Sequence, residues 1–260
     1  LAVTSENYPH RDEFKNLIFR PAGHGALLSN LNEVNADVIF VKNIDNVAAQ
    51  EYVEEIAFYK RVLAGKLLEL QEKIFGYMEV LEGEISLEKA KEIQSFIWNE
   101  LDVKDIPQGV SATKEFLNRP LRVCGVVKNT GAPGGGPFWV KDENGNIKLQ
   151  IVEKSQIDLS NPHQRSIIKE ATHFNPVDLV CSVRDYKGNK FDLTKYANMN
   201  SGFISHKSEN GTPVKALELP GLWNGSMEYW NTIFVEVPLI TFNPVKTVND
   251  LLKKEHRPNA

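Results

Sequence analysis

Cysteine is scarce in this chain of 260 residues: Cys124 and Cys181 lie far apart, with no Cys-x-x-Cys spacing, and each sits inside an apolar, strand-like run. That excludes a disulfide framework and a zinc ribbon, and it reads as two packed thiols in a reducing compartment, so a cytoplasmic location is expected. No apolar run reaches the roughly 18 residues that span a bilayer, and no signal peptide is visible, which argues against a membrane partner. A basic excess is missing too. Lys and Arg number 30 against 34 Asp and Glu, for a net charge of −4, and no basic stripe alternates with aromatics, so nucleic acid is not an expected partner. Without a Gly-x-Ser-x-Gly elbow, serine hydrolase chemistry is excluded, and His173 has no second His or Cys at zinc spacing. The glycines of Gly131-Ala132-Pro133-Gly134-Gly135-Gly136 open no helix, so they are not a dinucleotide fingerprint; they read either as a flexible loop or as backbone closely approaching a sugar or phosphate.

What is present is enough hydrophobic residue, 42% of the chain, to bury a substantial core. Residues 1–18 are polar with little pattern and read as a connection or an edge strand. From Ala48 to about Asp102 the period becomes helical. Tyr52, Ile56, Tyr59, Leu63, Leu67, Leu70, Ile74 and Tyr77 recur at steps of three and four, Gly83 interrupts, and Ser86 is placed to cap a second helix carrying Leu87, Ala90, Ile93, Ile97 and Leu101. Residues 50–118 are therefore expected as a helical insertion within one α/β domain covering residues 1–260. Beyond Leu121 strands and turns dominate, with a hairpin turn at Glu143-Asn144-Gly145-Asn146.

The segment with most chemical content is Pro21-Ala22-Gly23-His24-Gly25-Ala26-Leu27-Leu28, followed by the β-branched run Asp37-Val38-Ile39-Phe40-Val41 and then Asn43-Ile44-Asp45-Asn46. A Gly-x-Gly turn leading into a helix lets backbone N–H groups approach a base or phosphate, while the strand delivers Asp45 beyond its carboxyl end, where open α/β sheets bind ligands. Alone, Gly-His-Gly reads rather as a helix-entry turn with His24 satisfied locally, and Asp45 could be a turn-forming carboxylate. The amide and carboxylate oxygens of Asn43, Asp45 and Asn46 exceed what one turn needs, which favours a hard cation such as Mg²⁺. Trp223-Asn224 and Trp230-Asn231 suggest either a carbohydrate platform or core packing.

This pattern resembles the UDP-sugar pyrophosphorylases, whose nucleotide loop reads Pro-x-Gly-His-Gly and whose metal-binding aspartate stands in Asn-x-Asp-Asn. Three further segments are similar, in the same order: Leu149-Gln150-Ile151-Val152-Glu153-Lys154, Phe174-Asn175-Pro176-Val177-Asp178, and Phe242-Asn243-Pro244-Val245-Lys246-Thr247-Val248-Asn249-Asp250-Leu251-Leu252. Over residues 14–256 the chain more closely resembles an uncharacterised bacterial family of unknown function that shares the Gly-His-Gly loop, Pro-Gly-Gly-Gly-Pro-Phe-Trp and Leu-Pro-Gly-Leu-Trp-Asn-Gly. The resemblance to the pyrophosphorylases implies an α/β fold with a mixed, mostly parallel sheet of the nucleotide-diphospho-sugar transferase type, interrupted by the helical hairpin.

It also implies roles. Gly23, His24 and Gly25 would bind the nucleotide, Asp45 a Mg²⁺ ion, Glu153 and Asn175 the sugar, and Lys246 would be the catalytic cation on the phosphates; Glu218 aligns with a Leu-Glu segment and is a further candidate. Gly25, Asp45, Glu153, Asn175 and Lys246 are expected at one carboxyl-edge cleft, with Lys246 held by a helix over residues 246–254 that buries Val245, Val248, Leu251 and Leu252. The implied reaction transfers a nucleotidyl group from a nucleoside triphosphate to a sugar 1-phosphate. The family's Gly-Gly-x-Gly-Thr-Arg phosphate loop is not in the sequence, so the chain is expected to be a carboxy-terminal part. The alternatives are a non-catalytic nucleotide-sugar-binding protein and a glycosyltransferase of similar fold.

Overall fold

The computed structural model describes residues 1–129, 131, 135–142 and 145–257. In chain order the elements are β1 (Ala2–Val3), α1 (Leu27–Glu33), β2 (Val38–Lys42), α2 (Val53–Leu81), α3 (Leu87–Asn99), α4 (Val110–Leu117), β3 (Leu121–Lys128), β4 (Gly136–Lys141), β5 (Ile147–Val152), α5 (Pro162–Glu170), β6 (His173–Phe174), β7 (Asp178–Ser182), β8 (Phe203–Glu209), β9 (Thr212–Glu218) and β10 (Asn231–Glu236). They fall into two compact units, Leu1–Asn35 with Asp192–Tyr229, and Ala36–Phe191 with Trp230–Ala260.

The first unit holds a three-stranded antiparallel sheet in the order β1-β9-β8, with the two-residue β1 at its edge. Ala2 of β1, Leu28 and Leu31 of α1, with Leu193, Val214, Ala216, Leu222 and Met227, form its buried apolar content.

The second unit is built on a mixed sheet, β10-β3-β7-β2, with β6 added to β3. Among the described residues only β10 and β3 pair in parallel; β7 runs antiparallel to both β3 and β2, and β4 with β5 forms a separate antiparallel hairpin. The expectation of a mostly parallel sheet is therefore wrong. The reason is physical: β3 is buried along Leu121–Val127, and an apolar run of that kind reports cover on both faces, not strand direction. Because β7 opposes its neighbours, β2, β3 and β10 all point the same way, and their carboxyl ends share one edge.

Against this sheet lies α2. Leu63, Leu67, Leu70 and Ile74 are buried at the expected spacing, while Tyr59 and Tyr77 pack against the same cluster. Ser86 caps α3 by accepting a hydrogen bond from the Lys89 N–H at 3.1 Å. Of the hairpin turn expected at Glu143-Asn144-Gly145-Asn146, Glu143 and Asn144 lie outside the described residues, as does the loop glycine Gly134. Cys124 and Cys181 are buried free thiols, and burial pushes both well above the usual thiol range, Cys124 to about 11.

Candidate functional site

In the second unit, β2 ends at Lys42, and the chain turns through Asn43-Ile44-Asp45-Asn46. Asn46, buried, clips this turn to the distant segment after β10. Its amide donates to the Thr241 carbonyl at 3.0 Å and its oxygen accepts from the Asn243 N–H at 2.8 Å. Backbone bonds from Val245 N–H to the Asp45 carbonyl, 2.9 Å, and from Val47 N–H to the Asn243 carbonyl, 3.1 Å, complete the zipper. The result is that the Lys246 ammonium reaches the Asp45 carboxylate as an ion pair, with the lysine side chain 57% exposed and the aspartate 26%. Asp45 and Lys246 thus meet at the carboxyl edge. Asn46 is not a spare oxygen ligand: both ends of its amide hold the fold.

The segment after Lys246 differs from expectation. Residues 248–252 and 254–256 form short 3₁₀ turns, and Val248, Leu251 and Leu252 are exposed, so no apolar helix face holds the lysine. Asp250 does so instead. Its carboxylate accepts from the Lys246 N–H at 2.9 Å, the Thr247 N–H at 2.8 Å and the Thr247 hydroxyl at 3.1 Å, and pairs with Lys253 at 2.7 Å. Those donors, Lys253 first, hold its carboxyl far below the ordinary range.

Three charged groups that sequence reasoning missed gather at Lys42, where β2 ends. Lys42 is opposite Asp178 in the β2–β7 register, and Asp178, with its side chain 4% exposed, forms an ion pair with Lys60 of α2. Burial and the neighbouring Lys60 charge lower the proton affinity of Lys42, with Asp178 opposing. Antiparallel registry assembles this group, and registry leaves no local sequence signal.

Of the two residues expected to contact a sugar, Asn175 is held by backbone and Glu153 takes part in a local turn. Asn175, buried, donates from its amide to the Gly125 carbonyl at 2.6 Å and accepts from the Val177 N–H at 3.0 Å, while its own N–H bonds the Gly135 carbonyl at 2.7 Å. That clamp holds Val177 at φ +55°, a left-handed conformation costly for a β-branched side chain and of the kind found around functional sites. Glu153 closes a capping box with Gln156 around the turn Lys154–Gln156. Nearby, His173 is bracketed by the Thr172 hydroxyl on Nδ1 at 2.9 Å and Glu236 on Nε2 at 3.1 Å.

In the first unit, Gly23, His24, Gly25 and Glu218 come together. Gly23 has φ +76°, and a Cβ there would stand 3.0 Å from the Glu218 carboxylate; a Cβ on Gly25 would collide with the Pro220 carbonyl. His24 stacks on Trp223 with ring centroids 3.9 Å apart, and its Nδ1 accepts from the Leu222 N–H at 2.9 Å. The glycines of this turn thus admit the Pro220–Trp223 loop and the Glu218 side chain. The helix that follows, α1, has only seven residues. Trp230, in the second unit, is buried.

Among the described residues, no three His, Cys, Asp or Glu side chains are grouped to hold a metal. No helix among them is long and apolar enough to cross a membrane.

Compared with known proteins, residues 1–257 match the family described as "Domain of unknown function (DUF4301)". No curated protein matches. Solved structures that are similar include a point mutant of UDP-glucose pyrophosphorylase from Leishmania major in complex with UDP-glucose, at 16% identity and a TM-score of 0.47 over 96% of this chain and 46% of that one. Another is a UDP-glucose phosphorylase from Trypanosoma brucei, at 15% identity and a TM-score of 0.49 over 96% and 44%. The open and closed L. major pyrophosphorylase gives 17% and 0.44 over 96% and 46%. The chain therefore spans less than half the length of these proteins.

Proposed function

The chain belongs to this family of unknown function, and from its own residues we propose that it binds the phosphates of a nucleotide sugar, or of a nucleoside triphosphate beside a sugar phosphate, as a nucleotidyltransferase. One observation carries this reading: Asp45 and Lys246, 201 positions apart, meet at the edge where β2, β3 and β10 end. The pattern Asn-x-Asp-Asn and the Pro-Val-Lys-Thr-x-x-Asp-Leu-Leu segment, which resemble those of the UDP-sugar pyrophosphorylases, contribute these two residues and support it.

The donor set fits a hard cation in one way only. Asp45 offers a single part-exposed carboxylate, and Mg²⁺ is typically held by one or two carboxylates with phosphates and water completing its shell. Asp45 would hold it, and the ion would supply charge neutralisation at the phosphates of the transferring nucleotidyl group. Lys246 does the rest: an exposed ammonium, fixed through its backbone by Asp250, turns from Asp45 to a phosphate oxygen and stabilises the charge that develops there. No protein nucleophile is needed, since positioning and electrostatics suffice for attack by a sugar phosphate on the α-phosphorus.

The test is pyrophosphate release from nucleoside triphosphates paired with sugar 1-phosphates in the presence of Mg²⁺. Asp45→Ala is expected to abolish the Mg²⁺ dependence of nucleotide binding while shifting Tm by no more than a few degrees, since a part-exposed edge carboxylate carries little packing energy. Wild-type protein that binds nucleotide sugars but turns over none of these pairs would make it a binding module.

A further inference from the structure

We propose that Glu236, held by His173, reads the hydroxyls of the sugar, an inference that rests on the sugar-phosphate reading above. Asn175 is not free for that task, and Glu153 alone would supply one carboxylate. Asn175 is buried with its amide clamped between Gly125 and Val177, and Glu153 caps its own turn. The polar pair that faces solvent beside them is different. His173 begins β6, two positions before Asn175, and its register partner is Lys128, the last residue of β3. Glu236 is the last residue of β10. Both therefore emerge at the same sheet edge as Asp45 and Lys246.

The chemistry of the pair suits an uncharged polyol. Glu236 is 55% exposed in its side chain; one oxygen receives His173 at 3.1 Å and the other stands 3.9 Å from the Lys128 ammonium. A carboxylate has about four lone-pair positions, so these contacts leave acceptors directed to solvent, enough for two neighbouring ring hydroxyls. The Thr172 hydroxyl, 2.9 Å from Nδ1, fixes the imidazole from its other side, so the ring orients the carboxylate. Lys128 balances the charge of Glu236. The cluster accordingly has little pull on an anion, in contrast to the exposed ammonium of Lys246, and the division matches a ligand with phosphates at one end and neutral hydroxyls at the other.

Two measurements test this. In the first, wild type, Glu236→Gln and His173→Asn are titrated with UDP-glucose, UDP-galactose and GDP-mannose, each against its parent nucleoside diphosphate. Loss of a charge-assisted hydroxyl contact is expected to weaken the preferred nucleotide sugar about tenfold to a hundredfold in Glu236→Gln, leaving the nucleoside diphosphate unchanged. Equal losses for both ligands, or none, would overturn the assignment. In the second, the His173 ring protons, identified by their absence from His173→Asn, are followed by NMR while neutral methyl glycosides are added. Movement on addition of a glycoside supports the assignment even where nucleotides fail to bind, an outcome that would sink the phosphate reading alone. Ring signals unmoved by every glycoside and nucleotide sugar would overturn it.

Discussion

Gly25 illustrates how a single residue's meaning changes once its neighbours are known. Its missing Cβ makes room for the Pro220 carbonyl, so Gly25→Ala must push two backbone segments apart. The expected cost is about 2 kcal/mol or more, read as a lower denaturation midpoint with an unchanged slope. No loss of stability would show that the loop yields freely. The thiols make a second residue-scale case. With Cys124 and Cys181 buried and their proton affinities raised, neither is expected to react with a thiol reagent in the native state, and both should react once the protein is denatured. Rapid native labelling of either would contradict their burial. Asp250 carries a pH consequence. Its folded carboxyl is depressed, so its contribution is fully present above the ordinary carboxylate range and is lost as pH falls through the depressed value. Amide exchange at Lys246 and Thr247 is accordingly expected to stay slow to well below pH 4, and Asp250→Asn should remove that protection.

At the scale of elements, the two helices Val53–Leu81 and Leu87–Asn99 were legible and the sheet was only half so. The 3.6-residue period from Tyr59 to Tyr77 and the Ser86 cap are local, and both are where the pattern puts them. Strand direction is not local, because the burial of β3 is the same whichever way its neighbours run. The last segment failed for a related reason: Val248, Leu251 and Leu252 have helical spacing, yet 3₁₀ turns leave them exposed, and a carboxylate, Asp250, organises the backbone in their place. One pair joins α2 to the sheet. Lys60→Met would strand the Asp178 carboxylate, 4% exposed, with Lys42 opposite it in the β2–β7 register. Destabilisation of about 2–3 kcal/mol is expected, and replacing both residues by apolar ones of similar size should recover much of it. A single variant as stable as wild type would show that the pair contributes nothing to docking α2.

For the molecule as a whole, the motif residues sort by unit: Gly23, His24, Gly25 and Glu218 in one, and Asp45, Glu153, Asn175 and Lys246 in the other. The motifs located these neighbourhoods, but they did not separate side chains that hold the fold from side chains that face solvent. Asn46 and Asn175 carry motif positions and are consumed by backbone, whereas Lys42, Lys60, His173 and Glu236 carry none and border the edge. The proposed function rests on Asp45 and Lys246, and the most direct measurement is equilibrium binding of a panel of nucleotide sugars and nucleoside triphosphates, with Mg²⁺, to wild type and Lys246→Ala. The expected result is saturable binding of at least one of them by the wild type, weakened about tenfold or more in the variant at unchanged Tm. No binding by the wild type across the panel, or equal binding by both proteins, would contradict the assignment.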